Sequence, residues 1–507
     1  MTAPFALLKK FNLIIPAVWL CIACIAGTQF AWGQPTVTFD FVLTGGRVID
    51  PETGLDAVKN VGIQNGRITE ISDSPLVGRE NIDVSGLVVA PGFIDLHIHG
   101  IGNKEQEYQA HDGVTTALEL EWGVGFLKEW YAARSSKALI NYGASAPWFF
   151  NRFKTLPPDN PDDILQLEES IPKQNFNFIK TLAYVAPSFD KELSDAQLAK
   201  MLDNIRQSLA DGGVGIGVPV GYVPGAGREE IFRVYQLAGS LQAPVFTHIR
   251  KGGVMAVQQV ISDAVLTNAP LHIVHINSMT LSEIELAIEM VNTAQKRGFD
   301  ITTELYPYTA ASTDLASALF DEGWQQRFGM EFNDLQWVAT GERLTEETFN
   351  MYRKEGGTVI MYMMRPAWIK AGIASKGTII ASDGMPYAKL AHPRTAGTFS
   401  RVLGKYVRED KVLSLTEAIE KITLLPAKRL EEIAPMMRFK GRIQVGSDAD
   451  ITIFDPATII DKATFDKGLE FSEGIRYVMV NGMFVIKNGN TVEGAFPGQP
   501  IYGKYKK

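Results

Sequence analysis

Ala90-Pro-Gly-Phe-Ile-Asp-Leu-His97-Ile-His99 reads as a short apolar run, opened by Pro91-Gly92 and closed by Gly100, with its polar residues gathered at the far end. A run of this length between turn residues suits a strand buried on both faces of a parallel sheet. Residues at i and i+2 of a strand point to one side, so His97 and His99 project together. Seven more runs with this texture follow: Thr115–Glu121, Phe178–Val185, Val214–Val220, Val245–Ile249, His272–Ile276, Ile301–Tyr306 and Thr378–Ala381. Helical segments lie between them. Ser194 with Gln197 forms a capping box for a helix that runs towards Ala210 and stops at Asp211-Gly212-Gly213, and Ser414 with Glu417 repeats the device. Eight strands alternating with helices predict an α/β fold, a TIM (β/α)8 barrel, over residues 89–435. The interval 311–376 is too long for one helix and its turns, which predicts an inserted lid or subdomain there.

The texture changes on either side of this stretch. Phe41-Val-Leu, Arg47-Val-Ile, Val61-Gly-Ile-Gln and Arg67-Ile-Thr-Glu-Ile alternate around Asn65-Gly66, a hairpin signal, and the pattern returns in Asp450-Ile-Thr-Ile-Phe and Tyr477-Val-Met-Val before Asn481-Gly482. Two small β pieces would each expose an apolar face, so residues 34–88 and 436–507 are expected to share one composite β-sandwich domain. The first 33 residues differ again: Lys9-Lys10, an apolar run from Phe11 to Ala26, then Ala31-Trp32-Gly33. This pattern predicts a cleaved signal peptide and a periplasmic or secreted protein. The apolar run contains Pro16 and falls short of the roughly 20 residues of a spanning helix, which argues against a retained anchor. The only cysteines, Cys21 and Cys24, lie inside this segment. A lipid anchor at Cys24 is the alternative, although Cys21 sits where such sites take an aliphatic residue. Cleavage after Gly33 leaves no thiol for a disulfide or a nucleophile.

Across 507 residues, hydrophobic residues make up 46% and charged residues 21%, with a formal charge of −8 and no long acidic block. These values fit a globular protein and exclude a fibrous or disordered one. No basic stripe interleaved with aromatics is present, so nucleic acid is not an expected partner.

Four of the seven histidines fall at or near the C-terminal ends of predicted strands: His97, His99, His248 and His275. Barrel active sites are built at that rim, and neutral imidazoles at such spacing suit a divalent metal, above all Zn²⁺, as one ion or two. Glu119 and Glu121 share a face of the second strand, where two inward carboxylates would be costly unless paired or metal-bound. Glu121, nearer the rim, is the expected bridging ligand, with Glu119 the other candidate. Asp383 follows the eighth strand and is the candidate proton carrier, taking a proton from the attacking water and returning it to the leaving amine. Around the rim, Arg250, Lys251 and Arg394 are candidate cations for a substrate, and Tyr306 a candidate hydrogen-bonding group. His111 and His272 read as structural. Lys180, early in its strand, is a minor candidate for a carbamylated bridge.

Leu43-Thr-Gly-Gly-Arg-Val-Ile-Asp-Pro51, the Ala90 to His99 run and Gly446-Ser-Asp-Ala-Asp-Ile-Thr-Ile-Phe-Asp455 together resemble the amidohydrolase superfamily. Asp211-Gly-Gly-Val-Gly-Ile-Gly217, Tyr222-Val-Pro-Gly225, Thr247-His248-Ile-Arg250, Pro270-Leu-His-Ile-Val-His275, Tyr306-Pro-Tyr308 and His392-Pro-Arg394-Thr-Ala-Gly-Thr-Phe399 are most similar to its D-aminoacylase and N-acyl-D-glutamate deacylase group. The resemblance implies metal-dependent hydrolysis of a linear amide, removing the acyl group of an N-acyl-D-amino acid. Two positions depart from the group. Its bridging cysteine on the second strand is replaced by Glu119-Leu-Glu121, and its substrate-binding lysine two residues after the sixth-strand histidine is Asn277. A cyclic-amide hydrolase or dipeptidase on the same scaffold is the alternative enzyme. A non-catalytic binding barrel is the alternative of another class.

Overall fold

The computed structural model describes residues 38–156, 188–386 and 392–507. The proposed signal segment, the run Phe178–Val185 and Lys180 therefore lie outside the described residues. Within them, eight parallel positions close a barrel: Phe93–Asp95, Val114–Glu119, the run from Asn141 to Pro147, Ile216–Val218, Val245–Thr247, Leu271–Ile273, Ile301–Leu305 and Ile379–Ile380. Strand one meets strand eight through the parallel bridge Ile98 to Gly384, where His99 N–H donates to Gly384 O at 2.6 Å.

The third position is a correction to the sequence reading, which placed that strand at Phe178–Val185. Asn141–Ala144 pairs with strand two, and Ala146–Pro147 pairs with strand four. Asn-Tyr-Gly-Ala-Ser-Ala-Pro carries none of the β-branched residues that mark a strand. Its small residues are required by space, because a Cβ on Gly143 would lie 2.8 Å from Ile501 O and from a Leu118 methyl.

Both ends of the described chain build one nine-stranded mixed sheet. Val88–Pro91 joins Ile451–Phe454 antiparallel, which links the strands of residues 39–91 to those of residues 451–491. Leu43, Val48, Val61 and Ile68 from one end and Ile451, Ile453, Met479 and Phe484 from the other share a separate apolar core. The helices Asp195–Ala210 and Leu415–Ile422 begin at the expected Ser194/Gln197 and Ser414/Glu417 capping boxes.

The long seventh interval holds a three-stranded antiparallel sheet, Ala311–Asp314, Leu335–Trp337 and Thr358–Met361, with the helix Glu346–Glu355. Trp324 stacks on Phe349 and Trp337 on Tyr352, giving this insertion an aromatic core of its own. Its first strand brings Ser312, Thr313 and Asp314 to the wall of a cavity above the barrel mouth. No helix among the described residues is long and apolar enough to cross a membrane.

Candidate metal centre

Strand one delivers His97 and His99, strand two Glu121, strand five His248, strand six His275 and strand eight Asp383, all at the C-terminal rim and all buried. Glu121 lies at the centre of the group. Its Oε2 stands 2.9 Å from His97 Nε2 and 3.3 Å from His99 Nε2, while its Oε1 stands 2.9 Å from His248 Nδ1 and 3.5 Å from His275 Nε2. Asp383 Oδ1 closes the first half, 3.2 Å from His99 Nε2 and 3.5 Å from His97 Nε2. Strand four passes close beneath: a Cβ on Gly217 would fall 2.4 Å from Glu121 O, so only glycine lets the two strands approach this far.

Two of these side chains sit on strained backbone. His275 has φ +31° and Asp383 φ +52°, both in the left-handed region that residues with a Cβ seldom occupy. Each ends its strand with an abrupt turn, and each is held there by buried packing at the barrel mouth.

Carboxylates behind the histidines fix which nitrogen faces inward. His97 donates Nδ1–H to Glu304 at 2.5 Å, and His99 donates Nδ1–H to Glu119 at 2.8 Å, so both present Nε2 to the centre. The structure therefore places Glu119 behind His99, where its other oxygen accepts Trp122 N–H at 3.1 Å. Strand two ends at Glu119, and the chain carries Glu121 farther toward the mouth. Glu304 escaped the sequence reading, as did Asp95, whose Oδ1 accepts His97 N–H and Ser382 N–H and so ties strand one to strand eight. A buried acid in the middle of a barrel strand was the available signal for Glu304.

The electrostatics follow from burial and company. Burial disfavours charge on His97 and His99, but Asp383 and Glu304 around the first, and Glu119 and Asp383 around the second, hold both well above the usual imidazole range. Burial would raise Glu121, yet its hydrogen bonds with His248, His275, His97 and His99 hold it well below the carboxylate range. Glu304 is held at about 2, because His97 and His272 outweigh its burial. Burial pushes Asp95 up to about 7.

The remaining candidates separate into two groups. Arg394 reaches the centre: Nη1 lies 2.9 Å from Asp383 Oδ2, and its guanidinium carbon sits 4.7 Å over the Tyr306 ring. Tyr306 lines a small chamber with His248, His275 and Asp383. Asn277, buried beneath, donates to Tyr306 O at 3.1 Å. Arg250 and Lys251 are not brought to the centre. Arg250 donates to Ala226 O, and both residues line a separate groove with Met255 and Ser262. His272 accepts a structural place between Thr302 and Glu304, and His111 bonds Thr491.

The cavity above the barrel mouth, about 480 Å³, opens from His99, Glu121, His275 and Asp383. Trp122 and Tyr222 form one wall, their rings 4.9 Å apart, and Thr313 of the insertion bonds the Tyr222 hydroxyl at 3.0 Å.

Nitrogen and carboxylate atoms of His97, His99 and Glu121, of Glu121, His248 and His275, and of His97, His275 and Asp383 each gather within 4.8 Å. Asp95, Glu119, Glu121, Glu304 and Asp383 are all buried here, and among the described residues Arg394 is the one guanidinium paired with them. A mixed imidazole and carboxylate set with an excess of buried negative charge fits divalent metal.

A family model described as amidohydrolase family matches residues 251–486. The D-aminoacylase of Alcaligenes xylosoxydans xylosoxydans is 30% identical over 91% of this chain and 96% of its own length. The chain belongs to the D-aminoacylase group of the amidohydrolase family. The N-acyl-D-glutamate deacylase of the same organism is 28% identical to this amidohydrolase, over 88% and 93% of the two chains. Among solved structures, N-acyl-D-glutamate deacylase from Bordetella bronchiseptica, complexed with zinc and a phosphonate mimic of the tetrahedral intermediate, shares its fold. The TM-score is 0.77 at 23% identity, covering 92% of this chain and all of that one. A D-aminoacylase with a binuclear metal centre gives a TM-score of 0.75 at 24% identity with the same coverage. The chain is thus a metal-dependent amidohydrolase with a TIM barrel and an added β domain.

Proposed function

We propose that this amidohydrolase removes the acyl group of an N-acyl-D-amino acid, with Zn²⁺ held by His97, His99 and Glu121 on one side and by Glu121, His248 and His275 on the other. The observation that carries the reading is the Glu121 carboxylate, which turns one oxygen to each pair of histidines and stands where the group's cysteine bridge is expected. The D-aminoacylase and the N-acyl-D-glutamate deacylase to which the chain is similar act on D-amino acid derivatives by name, and they supply the substrate class.

A divalent ion in such a site acidifies water and polarises a carbonyl. The protein supplies the rest. Asp383 is the catalytic base: buried at the cavity floor, it is held ionised despite burial by Arg394, His97 and His99. Its Oδ1 can take the proton of the attacking water and return it to the leaving nitrogen, which would otherwise depart as an unprotonated amide anion. Arg394 orients Asp383 through Oδ2 and is the cation available to a substrate carboxylate, with Tyr306 a hydrogen-bond donor beside it. Trp122, Tyr222 and the Ser312–Asp314 strand enclose the rest of the substrate and limit water. Export after cleavage near Gly33 is part of the same proposal and rests on the Lys9-Lys10 and apolar pattern alone.

Incubating purified protein with paired N-acetyl-D- and N-acetyl-L-amino acids and a hydantoin, and measuring free amino acid and ring opening, tests the reading. Release from the D series is expected. Ring opening without deacylation would replace it by a cyclic-amide hydrolase.

A further inference from the structure

Two spaces open from the centre and share Tyr222, His275, Ser312, Thr313 and Asp383. The smaller, about 30 Å³, holds Tyr306 and is walled by Met279, Leu319, Phe328, Met361 and Met363. The Arg394 guanidinium lies over the Tyr306 ring, so the cation and the phenol suited to a substrate carboxylate both stand at this space. The larger, about 480 Å³, runs between the Trp122 and Tyr222 rings and the insertion. Trp122 is braced from behind by Phe149, ring to ring at 4.8 Å. Ser312 Oγ, common to both spaces, is buried and meets no hydrogen-bonding partner among the described residues.

In a linear amide the acyl chain and the amine half leave the scissile carbonyl in different directions. With the carboxylate of the amine half drawn to Arg394 and Tyr306, the acyl chain is directed into the larger space. Acetyl would fill little of it, since cavities of about 300–1,000 Å³ bury a drug-sized molecule. The wall nearest the centre is aromatic. The exposed rim is mostly acidic, with Asp190, Asp321 and Glu355 beside Lys354, and Asp321 is itself paired with Arg353. Deeper in, Asp314 is held against the cavity by Ala316 N–H and Gly357 N–H.

We propose that this cavity is an acyl subsite selecting N-acyl-D-amino acids whose acyl group is bulky, apolar and free of negative charge, an aromatic acyl above all, with acetyl a poor substitute. Trp122 and Tyr222 supply the surface for the acyl body, Asp314 and the rim acids repel an anionic end, and Ser312 Oγ meets the substrate amide. The inference rests on the deacylase reading under Proposed function and narrows its substrate class.

The test holds one D-amino acid constant, the one released fastest from its N-acetyl derivative, and compares kcat/KM for its N-acetyl, N-4-methylpentanoyl, N-phenylacetyl and N-succinyl forms on the metal-loaded protein. A buried methylene is worth roughly fourfold, so the 4-methylpentanoyl and phenylacetyl forms should exceed the acetyl form by at least about 10-fold. Succinyl matches 4-methylpentanoyl in shape but ends in a carboxylate, and should fall at least about 10-fold below it. Trp122→Leu should shrink the phenylacetyl advantage over acetyl by about 3–10-fold. Should that variant fail to fold by circular dichroism, Tyr222→Leu reads the same ratio from the neighbouring ring. Acetyl equal to or better than the bulky acyls, succinyl equal to 4-methylpentanoyl, or an unchanged ratio in the folded variant would each overturn the proposal. So would a gain that follows the size of the amino-acid side chain, with acetyl held fixed, in place of the acyl group. Failure to hydrolyse any of these compounds would strike the functional reading alone. Calorimetric binding of the four to Asp383→Asn, which needs no turnover, would then decide this one: tighter binding of phenylacetyl than of acetyl and succinyl supports it, and equal binding overturns it.

Discussion

Glu121 Oε1 stands 2.9 Å from His248 Nδ1, while the other oxygen of the same carboxylate faces the His97 and His99 pair. One side chain therefore serves both halves of the centre, and its neighbour two residues earlier serves neither directly. Glu121→Gln is expected to lower bound metal more than Glu119→Gln, which should cost about 10–100-fold in affinity as the loss of an outer partner. Elemental analysis of both variants after dialysis decides the order. The reverse order would make Glu119 the ligand.

Asp383→Asn should keep fold and metal while removing turnover. Asparagine tolerates the left-handed backbone that Asp383 occupies at φ +52°. What the amide cannot do is carry a proton. Such steps are worth about 10²–10⁴-fold, so kcat should fall at least about 100-fold, roughly 3 kcal/mol of barrier, with KM changing much less. Near-normal kcat at full metal content would place the base elsewhere.

Metal binding should release protons. In the metal-free protein the surrounding carboxylates raise His97 and His99 above the usual imidazole range, and both must be deprotonated to coordinate. Falling pH loads them with protons and weakens binding. The apparent affinity is therefore expected to keep rising with pH beyond about 6.5, the ordinary histidine value, before it levels off. Calorimetric titration in buffers of different ionisation enthalpy measures the protons released, and a pH-independent affinity between 6 and 8 would contradict the cause given (about the range in which an unperturbed histidine finishes titrating).

Lys421 gives a stability test remote from the centre. Its buried ammonium donates to Ser375 O and Thr378 O, at the entry to strand eight, and burial lowers its pKa to about 8. The folded protein then binds fewer protons than the unfolded chain between about 8 and the normal lysine value. Stability from this group is accordingly lowest below that window and recovers as pH rises through it, by up to about 3 kcal/mol. Denaturant unfolding of wild type against Lys421→Met should show the difference shifting in favour of wild type as pH rises. A constant difference would mean that Lys421 has the same pKa folded and unfolded.

The parts of the site that were legible in the sequence are those governed by local geometry. His97 and His99 share a face because of strand periodicity, and Asp383 reaches the mouth because it directly follows a strand. Asn141–Pro147 was not legible, since its place as strand three is set by space against Leu118 and Ile501. Glu304 was missed because its partner His97 lies 207 positions away. Arg250 and Lys251 looked like rim cations, but Arg250 is tied to Ala226 O and both residues line a groove apart from the cavity, a placement set by tertiary contacts.

The most direct measurement is deacylation of one N-acetyl-D-amino acid by the protein as purified, after exhaustive chelation, and after restoring Zn²⁺, with its L enantiomer alongside and bound metal quantified in each sample. Free D-amino acid should appear with the purified protein, cease on chelation and return with the metal, while the L substrate lags far behind. Undiminished hydrolysis by protein shown to be metal-free would contradict a reaction centred on His97, His99, Glu121, His248, His275 and Asp383.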